Sequence, residues 1–245
     1  MRLANRAAIV TGGGAGIGRA IALAFAREGA KVGVLDIDAK TAEATAREAK
    51  GVPLVCDVSQ RAAVFEAVKR FVGEAGGLDI LVNNAVYFHY APMVDMPEDK
   101  IHRMLDVGIK GTFWATQAAT PHLVARGGGS IINLSSIAVS FGIRTSAVYT
   151  SIKGALDAFT RQQAVELAPR NIRVNALAPG TVSTPGANTV IDAKGFEARK
   201  AKTPLGRLAT AEDIAAAAVF LASEEARMIA GVTLKIDGAI TVAGP

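Results

Sequence analysis

Tyr149-Thr150-Ser151-Ile152-Lys153 sets a phenol and an ammonium four residues apart. On a helix that spacing puts both groups on one face, a turn apart. A phenol ordinarily ionises near pH 10 and is a poor base at neutral pH, and a fixed cation beside it favours the phenolate. Such a tyrosine can take a proton from an alcohol or return one to a ketone. The same pair is commonplace on helix surfaces, so its chemistry depends on what the rest of the chain brings to it. A second constellation supplies a partner. Thr11-Gly12-Gly13-Gly14-Ala15-Gly16-Ile17-Gly18 is rich in glycine, and Asp36 follows Gly18 by 18 residues. Glycines let a backbone turn tightly and approach a bound group, and a helix opening behind them offers free N–H groups and a positive dipole end to a pyrophosphate. A carboxylate spaced as Asp36 is suits ribose hydroxyls.

These residues act together only if the elements between them place them at one edge. Ala7 to Val10 is an apolar run that stops at Thr11-Gly12, and Ala20 to Ala26 is helical in composition, with Gly29 as a stop signal. Lys31 to Leu35, Val52 to Val55 and Asp79 to Val82 read as further strands. Ala39 to Lys50 and Arg61 to Glu74 read as the helices between them, the latter with Val64, Val68 and Phe71 at helical spacing. The second half repeats the rhythm. Ser130 to Leu134, Ile172 to Leu177 and Val232 to Ile236 read as strands; Ile101 to Leu123, Ala147 to Leu167 and Ala211 to Ala222 as helices; Ile191 to Lys200 as a short one. Strands alternating with helices call for parallel pairing through right-handed crossovers. The expected fold is α/β, a Rossmann-like doubly wound parallel sheet of seven strands with helices on both faces. In such sheets ligands bind beyond the C-terminal strand ends, where Gly12, Asp36, Asp57 and Asn84 fall.

Bulk properties narrow the function classes. Half of the 245 residues are apolar, and no linker or charge run divides them, so a single domain spanning 1–245 is expected. The net charge of +5 is spread among both signs, which gives no case for nucleic acid. Cys56 is the only cysteine, and His89, His102 and His122 lack ligand spacing, so no metal site is expected. The longest apolar run, Ile214 to Ala222, is too short for a bilayer, and no secretory pattern opens the chain, so a cytoplasmic protein is expected.

Taken jointly, the glycine-rich stretch, Asp57-Val58, Asn83-Asn84-Ala85, Ser136, Tyr149 with Lys153, and Pro179-Gly180 followed by Thr184 resemble the short-chain dehydrogenase/reductase family, in order and spacing, over nearly the whole chain. The resemblance implies that Gly12, Gly14, Gly16, Ile17 and Gly18 cradle a nicotinamide dinucleotide. It implies adenine contacts from Asp57 and Val58 and cofactor contacts from Asn84 and Ala85. Ser136, 13 residues before Tyr149, matches the serine that holds the substrate oxygen; its neighbour Ser135 does not. Tyr149 matches the general acid/base, and Lys153 the residue that binds the nicotinamide ribose and lowers the tyrosine pKa. Pro179, Gly180, Val182 and Thr184 match the nicotinamide side. Asp36 would repel a 2′-phosphate and has no adjacent Arg or Lys, so NAD is expected rather than NADP. The implied activity interconverts a secondary alcohol and a ketone; a 3-oxoacyl thioester reductase and a dinucleotide-binding protein with little catalysis are the alternatives. A homo-oligomer, a tetramer, is implied by the resemblance, and the apolar segment Ala239 to Pro245 is compatible with a subunit contact.

Two positions depart from the family pattern. Val86 stands where a glycine usually follows Asn-Asn-Ala, and Gly108 stands where many members carry an asparagine whose surroundings anchor a water serving the lysine. A water filling the space vacated at Gly108 is expected to keep that proton relay working. On the substrate side, Tyr87-Phe88-His89-Tyr90 either shapes a pocket or packs against the long helix, and residues 185–203 are expected to form a lid. Within that lid Lys194, Arg199, Lys200 and Lys202, and outside it Arg144, are candidates for meeting an acidic substrate or for a solvated face.

Overall fold

The computed structural model describes residues 1–243. One parallel sheet runs in the order β3-β2-β1-β4-β5-β6-β7. Its strands are β1 (Ala7–Thr11), β2 (Lys31–Asp36), β3 (Val52–Val55), β4 (Ile80–Asn83), β5 (Gly129–Leu134), β6 (Ile172–Pro179) and β7 (Thr233–Ile236). The order reverses between β1 and β4, so the edge above this pair is a topological switch point, where a crevice opens. The registers Val10↔Val34 and Val10↔Val82 bring the ends of three strands level there.

The strands are apolar throughout because both faces are covered. Ala8 and Val10 point to a layer made by α1 (Gly16–Arg27), α2 (Ala39–Ala49) and α8 (Ala211–Ala222), filled by Ile21, Phe25, Ile214 and Val219. Ile9 points the other way, to α3 (Arg61–Ala75), α5 (Gly111–Ala125) and α6 (Ala147–Leu167), where Val64, Phe71, Ala115, Leu123 and Leu167 pack. The expected doubly wound fold is the observed one, with boundaries moved by a few residues.

The expected helix over Ile101 to Leu123 departs most from the structure. Helical backbone begins earlier, at α4 (Glu98–Leu105), directly after Pro97, and passes through one wide π-turn at Asp106–Lys110 before α5. Gly108 lies inside that turn. Thr112 donates its hydroxyl to the Gly108 carbonyl at 3.0 Å, satisfying an oxygen that the wider turn displaces. The short helix near 191–200 is α7 (Ala193–Lys202), capped by the Asp192 carboxylate, which accepts from the Gly195 N–H at 2.7 Å. α7 buries no residue of its own.

Candidate active site

A cavity of about 1070 Å³ opens above the C-terminal strand ends, running from Asp36 and Asp57 at one end to Tyr149 and α7 at the other. Gly12, Gly16, Ile17, Asp36, Asp57, Val58, Asn84, Ala85, Ser136, Tyr149, Lys153, Pro179, Gly180, Val182 and Thr184 all line it. Gly14 and Gly18 stand behind this lining, in the same loop. Gly18 sits so close beneath Gly12 that a Cβ there would overlap the Gly12 carbonyl, so its role is to let the loop close on the helix. Gly14 turns its N–H to the Asp36 carboxylate at 2.9 Å.

The glycine-rich end is built to take an anion beside a diol. Gly12 holds φ +62°, a left-handed turn costly to any side chain. Asn84 braces it, donating its amide to the carbonyls of Thr11 at 3.0 Å and Gly12 at 3.1 Å. Thr11 Oγ1 in turn accepts from the N–H groups of Asn84 and Ala85. α1 starts at Gly16 with no side-chain cap and no acidic residue in its first turn, leaving its N–H groups and positive end facing the cavity. The Asp36 carboxylate is aimed from β2 by the N–H groups of Gly14 and, at 3.1 Å, Asp38. These features fit a dinucleotide whose pyrophosphate meets α1 and whose adenosine ribose meets Asp36.

Asp57 brings a partner that the sequence reading missed. Arg103, from α4, donates to it at 3.0 Å and to Ser59 Oγ at 2.9 Å. Burial works against the Asp57 carboxylate, but hydrogen bonds from Ser59 and Arg103 prevail and hold its pKa below the usual value. The next helix, α3, begins after Gln60 with no side-chain cap. Cys56, beside it, is a buried thiol that burial, with Asp57 adding, pushes up to about 11, so it is not a nucleophile at neutral pH.

At the other end, three consecutive residues leaving β5 hold one turn of α6. Leu134 accepts a hydrogen bond from Lys153 Nζ at 2.6 Å, and Ser135 Oγ donates to the Lys153 carbonyl at 3.3 Å. The Ser136 hydroxyl lies close enough to the Tyr149 phenol to favour its ionised form. Ser135 turns instead to the α6 backbone. The expected depression of the Tyr149 pKa by Lys153 is not what the geometry gives. Burial raises the phenol, and Ser136 is the group that opposes it. The Lys153 ammonium lies 5.7 Å from the centre of the Tyr149 ring. Burial also pulls Lys153 itself down to about 8, with Asp157 acting the other way.

Gly108 leaves no void for a water. A Cβ added there would lie 2.7 Å from Ile152 Cγ2, so the neighbouring helix already fills the space. The water-filled vacancy expected at this position is overturned. Val86 lines the cavity. Phe88 and Tyr90 stand edge-on to Tyr149, with ring centres 6.2 and 5.6 Å away; half-buried Tyr87 packs against the core and also lines the cavity, whereas His89 does not line it. Of the lid cations, Arg199 and Lys202 reach the cavity, as does Arg144; Lys194 and Lys200 do not. Among the described residues no cluster of His, Cys, Asp and Glu could hold a metal, and no helix is long and apolar enough to cross a membrane.

Comparison with known proteins points the same way as this geometry. The family model described as enoyl-(acyl carrier protein) reductase matches residues 12–241. The chain is 36% identical over 247 residues to a 3-oxoacyl-(acyl-carrier-protein) reductase of Thermotoga maritima, covering 99% of this chain and 100% of that protein. It is 39% identical over 252 residues to 2-(S)-hydroxypropyl-CoM dehydrogenase 3 of Xanthobacter autotrophicus, with 98% of each covered. Among solved structures, a 7α-hydroxysteroid dehydrogenase complexed with NADH and 7-oxoglycochenodeoxycholic acid superposes with a TM-score of 0.93 at 34% identity, over 97% of this chain and 94% of that one.

Proposed function

The chain belongs to the short-chain dehydrogenase/reductase family of oxidoreductases, and from that premise we propose that it is an NAD(H)-dependent enzyme interconverting a secondary alcohol and a ketone. The observation that carries the reading is the meeting of Ser136, Tyr149 and Lys153 in the same cavity as the glycine-rich loop and Asp36. A nicotinamide held here would supply the hydride acceptor for the alcohol carbon, or the hydride donor for the ketone. The rest falls to the chain. Ser136 holds the substrate oxygen and fixes its distance from Tyr149. In oxidation the Tyr149 phenolate takes the hydroxyl proton as the carbonyl forms; in reduction the phenol gives it back. Lys153, released from the Leu134 carbonyl, offers its N–H groups to the ribose and its charge to the phenolate. Burial that raises Tyr149 keeps it protonated at rest, ready for the reducing direction.

Support for NAD over NADP comes from Asp36, whose carboxylate faces the ribose position, and from Arg103, the cation at that end, which Asp57 already occupies. The related steroid dehydrogenase carries NADH in its structure. Residues 185–203 act as the lid in this reading, Thr184 pinning its start by accepting from the Ala187 N–H at 3.1 Å. A cytoplasmic homotetramer belongs to the same reading; Val242, 77% exposed, is an apolar group suited to a subunit contact, while Gly244 and Pro245 lie outside the described residues. Light scattering on the eluted protein tests the assembly.

A second reading, reduction of a 3-oxoacyl thioester, is favoured by the full-length match to the Thermotoga reductase. The test of both is turnover with NADH and NADPH on simple ketones and on a 3-oxoacyl thioester. Tyr149→Phe, which keeps the ring contacts and removes the proton, should lower kcat by ~100-fold or more. Undiminished turnover in that variant would remove Tyr149 from the chemistry. Cofactor binding without turnover of any ketone would leave a dinucleotide-binding protein.

A further inference from the structure

The acids lining the cavity are confined to one end, where Arg103 already pairs with Asp57. These acids, Asp36 and Asp57, both stand at the adenosine end. Around the Tyr149 end, the charged residues other than Lys153 are Arg144, Arg199 and Lys202. Among the described residues none of these three makes a salt bridge. The opposite is true on the outer side of α7, where Lys200 pairs with Glu197 at 3.9 Å. Arg199 and Lys202 of this helix reach the cavity without an acidic partner.

Arg199 is the best placed of the three. It is half-buried, whereas Arg144 and Lys202 are exposed. Its guanidinium is steadied by one bond, Nη1 to the Gly195 carbonyl at 3.0 Å, which leaves further N–H groups for a ligand. The Thr203 hydroxyl ties the Arg199 carbonyl at 2.9 Å and fixes the end of the helix. Arg199 is also near enough to Tyr90 to stabilise its phenolate, against a larger effect of burial. The Tyr90 ring is in edge contact with Tyr149, 5.6 Å between centres. Arg199, Tyr90 and Tyr149 all line the same cavity.

Resting on the dehydrogenase reading above, we propose that the substrate is a short ketone or secondary alcohol carrying an anionic group, received by Arg199 with Lys202 and Arg144 as α7 closes. A guanidinium with free N–H groups in a cavity of reduced dielectric recognises a carboxylate, sulfonate or phosphate. Phe88 and Tyr90, edge-on to Tyr149, form an aromatic wall of the same cavity. The same placement explains why a lid helix with no buried face is positioned over the site. Its closing contact is supplied in part by the substrate.

The test uses ketones built on one skeleton: 3-oxobutanoate, 2-oxopropanesulfonate and 2-oxopropyl phosphate, against the neutral methyl 3-oxobutanoate and butanone. kcat/KM is measured with NADH, and calorimetric binding of each ketone is measured with NAD⁺ bound, where no reaction can occur. At least one anion should exceed the neutral ketones by ~10- to 100-fold, as a charge-assisted contact gives, and which anion wins identifies the group. Arg199→Gln should bring the ratio of anion to neutral toward one, high salt should shrink it, and Lys194→Gln on the outer side of α7 should leave it intact. Equal handling of anions and neutral ketones overturns the proposal, as does a preference surviving in Arg144→Gln/Arg199→Gln/Lys202→Gln. Absence of turnover on every ketone with either cofactor defeats the dehydrogenase reading instead. The calorimetric preference then decides the anion site by itself, upholding it if Arg199→Gln abolishes it and overturning it if no preference is seen.

Discussion

Replacing Lys153 by methionine should make the cofactor-free protein more stable while removing its activity. The ammonium is buried, and its pKa of about 8 against an ordinary 10.5 means that the fold pays to hold it charged. At ~1.4 kcal/mol per tenfold change in proton affinity the cost at neutral pH is roughly 3 kcal/mol. Methionine fills similar space without charge. It leaves the Leu134 carbonyl without the donor now at 2.6 Å, which returns about 1–2 kcal/mol of the gain. The net expectation is roughly 1–2 kcal/mol, or about 3–6 °C in Tm for a chain of this size. Its pH dependence carries the sign. Between about pH 8 and 10.5 the unfolded lysine binds a proton that the folded one does not, so wild-type stability rises with pH through this window. The advantage of the variant is therefore full below pH 8 and fades as pH approaches 10.5. Other alkaline titrations are common to both proteins and cancel in the difference. Melting curves of both at pH 7, 8.5 and 10 make the comparison. A variant less stable at pH 7, or an advantage that stays constant to pH 10, would refute the reasoning.

Two other outcomes follow from the geometry. Gly108→Ala should destabilise by about 1–3 kcal/mol, because the new Cβ meets Ile152 Cγ2 at 2.7 Å; in a double-mutant cycle read by urea unfolding, Ile152→Ala should absorb part of that cost, and strict additivity would show that the two do not touch. Asp36→Asn should raise the ratio of NADPH to NADH affinity by ~10-fold or more, since it removes a charge facing a 2′-phosphate while keeping acceptors for the Gly14 and Asp38 N–H groups; an unchanged ratio in cofactor titrations would take Asp36 out of the choice.

The sheet was legible because each strand is a short apolar run ending in a residue of another kind. Thr11, Asp36, Asn83 and Ser135 stand at or just after the strand ends that the structure gives. Most of the cavity's lining followed, since a parallel sheet sends all those ends to one edge. The π-turn was not legible. Apolar spacing runs through Val107 and Ile109 as it would in an unbroken helix, and one extra residue in a turn leaves no compositional mark. A better signal lay at Pro97-Glu98-Asp99, where a proline and two acids announce the start of α4. The Arg103–Asp57 pair joins residues 46 apart in the chain, a distance over which local pattern says nothing. The burial of Lys153 was not legible for a related reason. Spacing places the ammonium near the phenol, but its burial comes from β5 and α6 packing together. Gly14 and Gly18 matched a cofactor pattern in type, and the structure shows what their lack of a side chain allows: a close approach to Asp36 and to the Gly12 carbonyl.

Leu134 and Ser135 each grip Lys153 of α6 at a different atom, and Ser136 stands by Tyr149 one turn away. Chain length at this point is therefore as strictly constrained as residue type. One residue inserted between Leu134 and Ser136 would carry the hydroxyl that meets Tyr149 out of reach, even with all three side chains still present. The open loop around Gly142, where an added Cβ meets nothing within 4 Å, has room for such an insertion. In a lineage of such proteins, the stretch from 134 to 136 should admit substitutions more readily than insertions or deletions, and length variation should collect a few residues further on, at the rim of the substrate pocket.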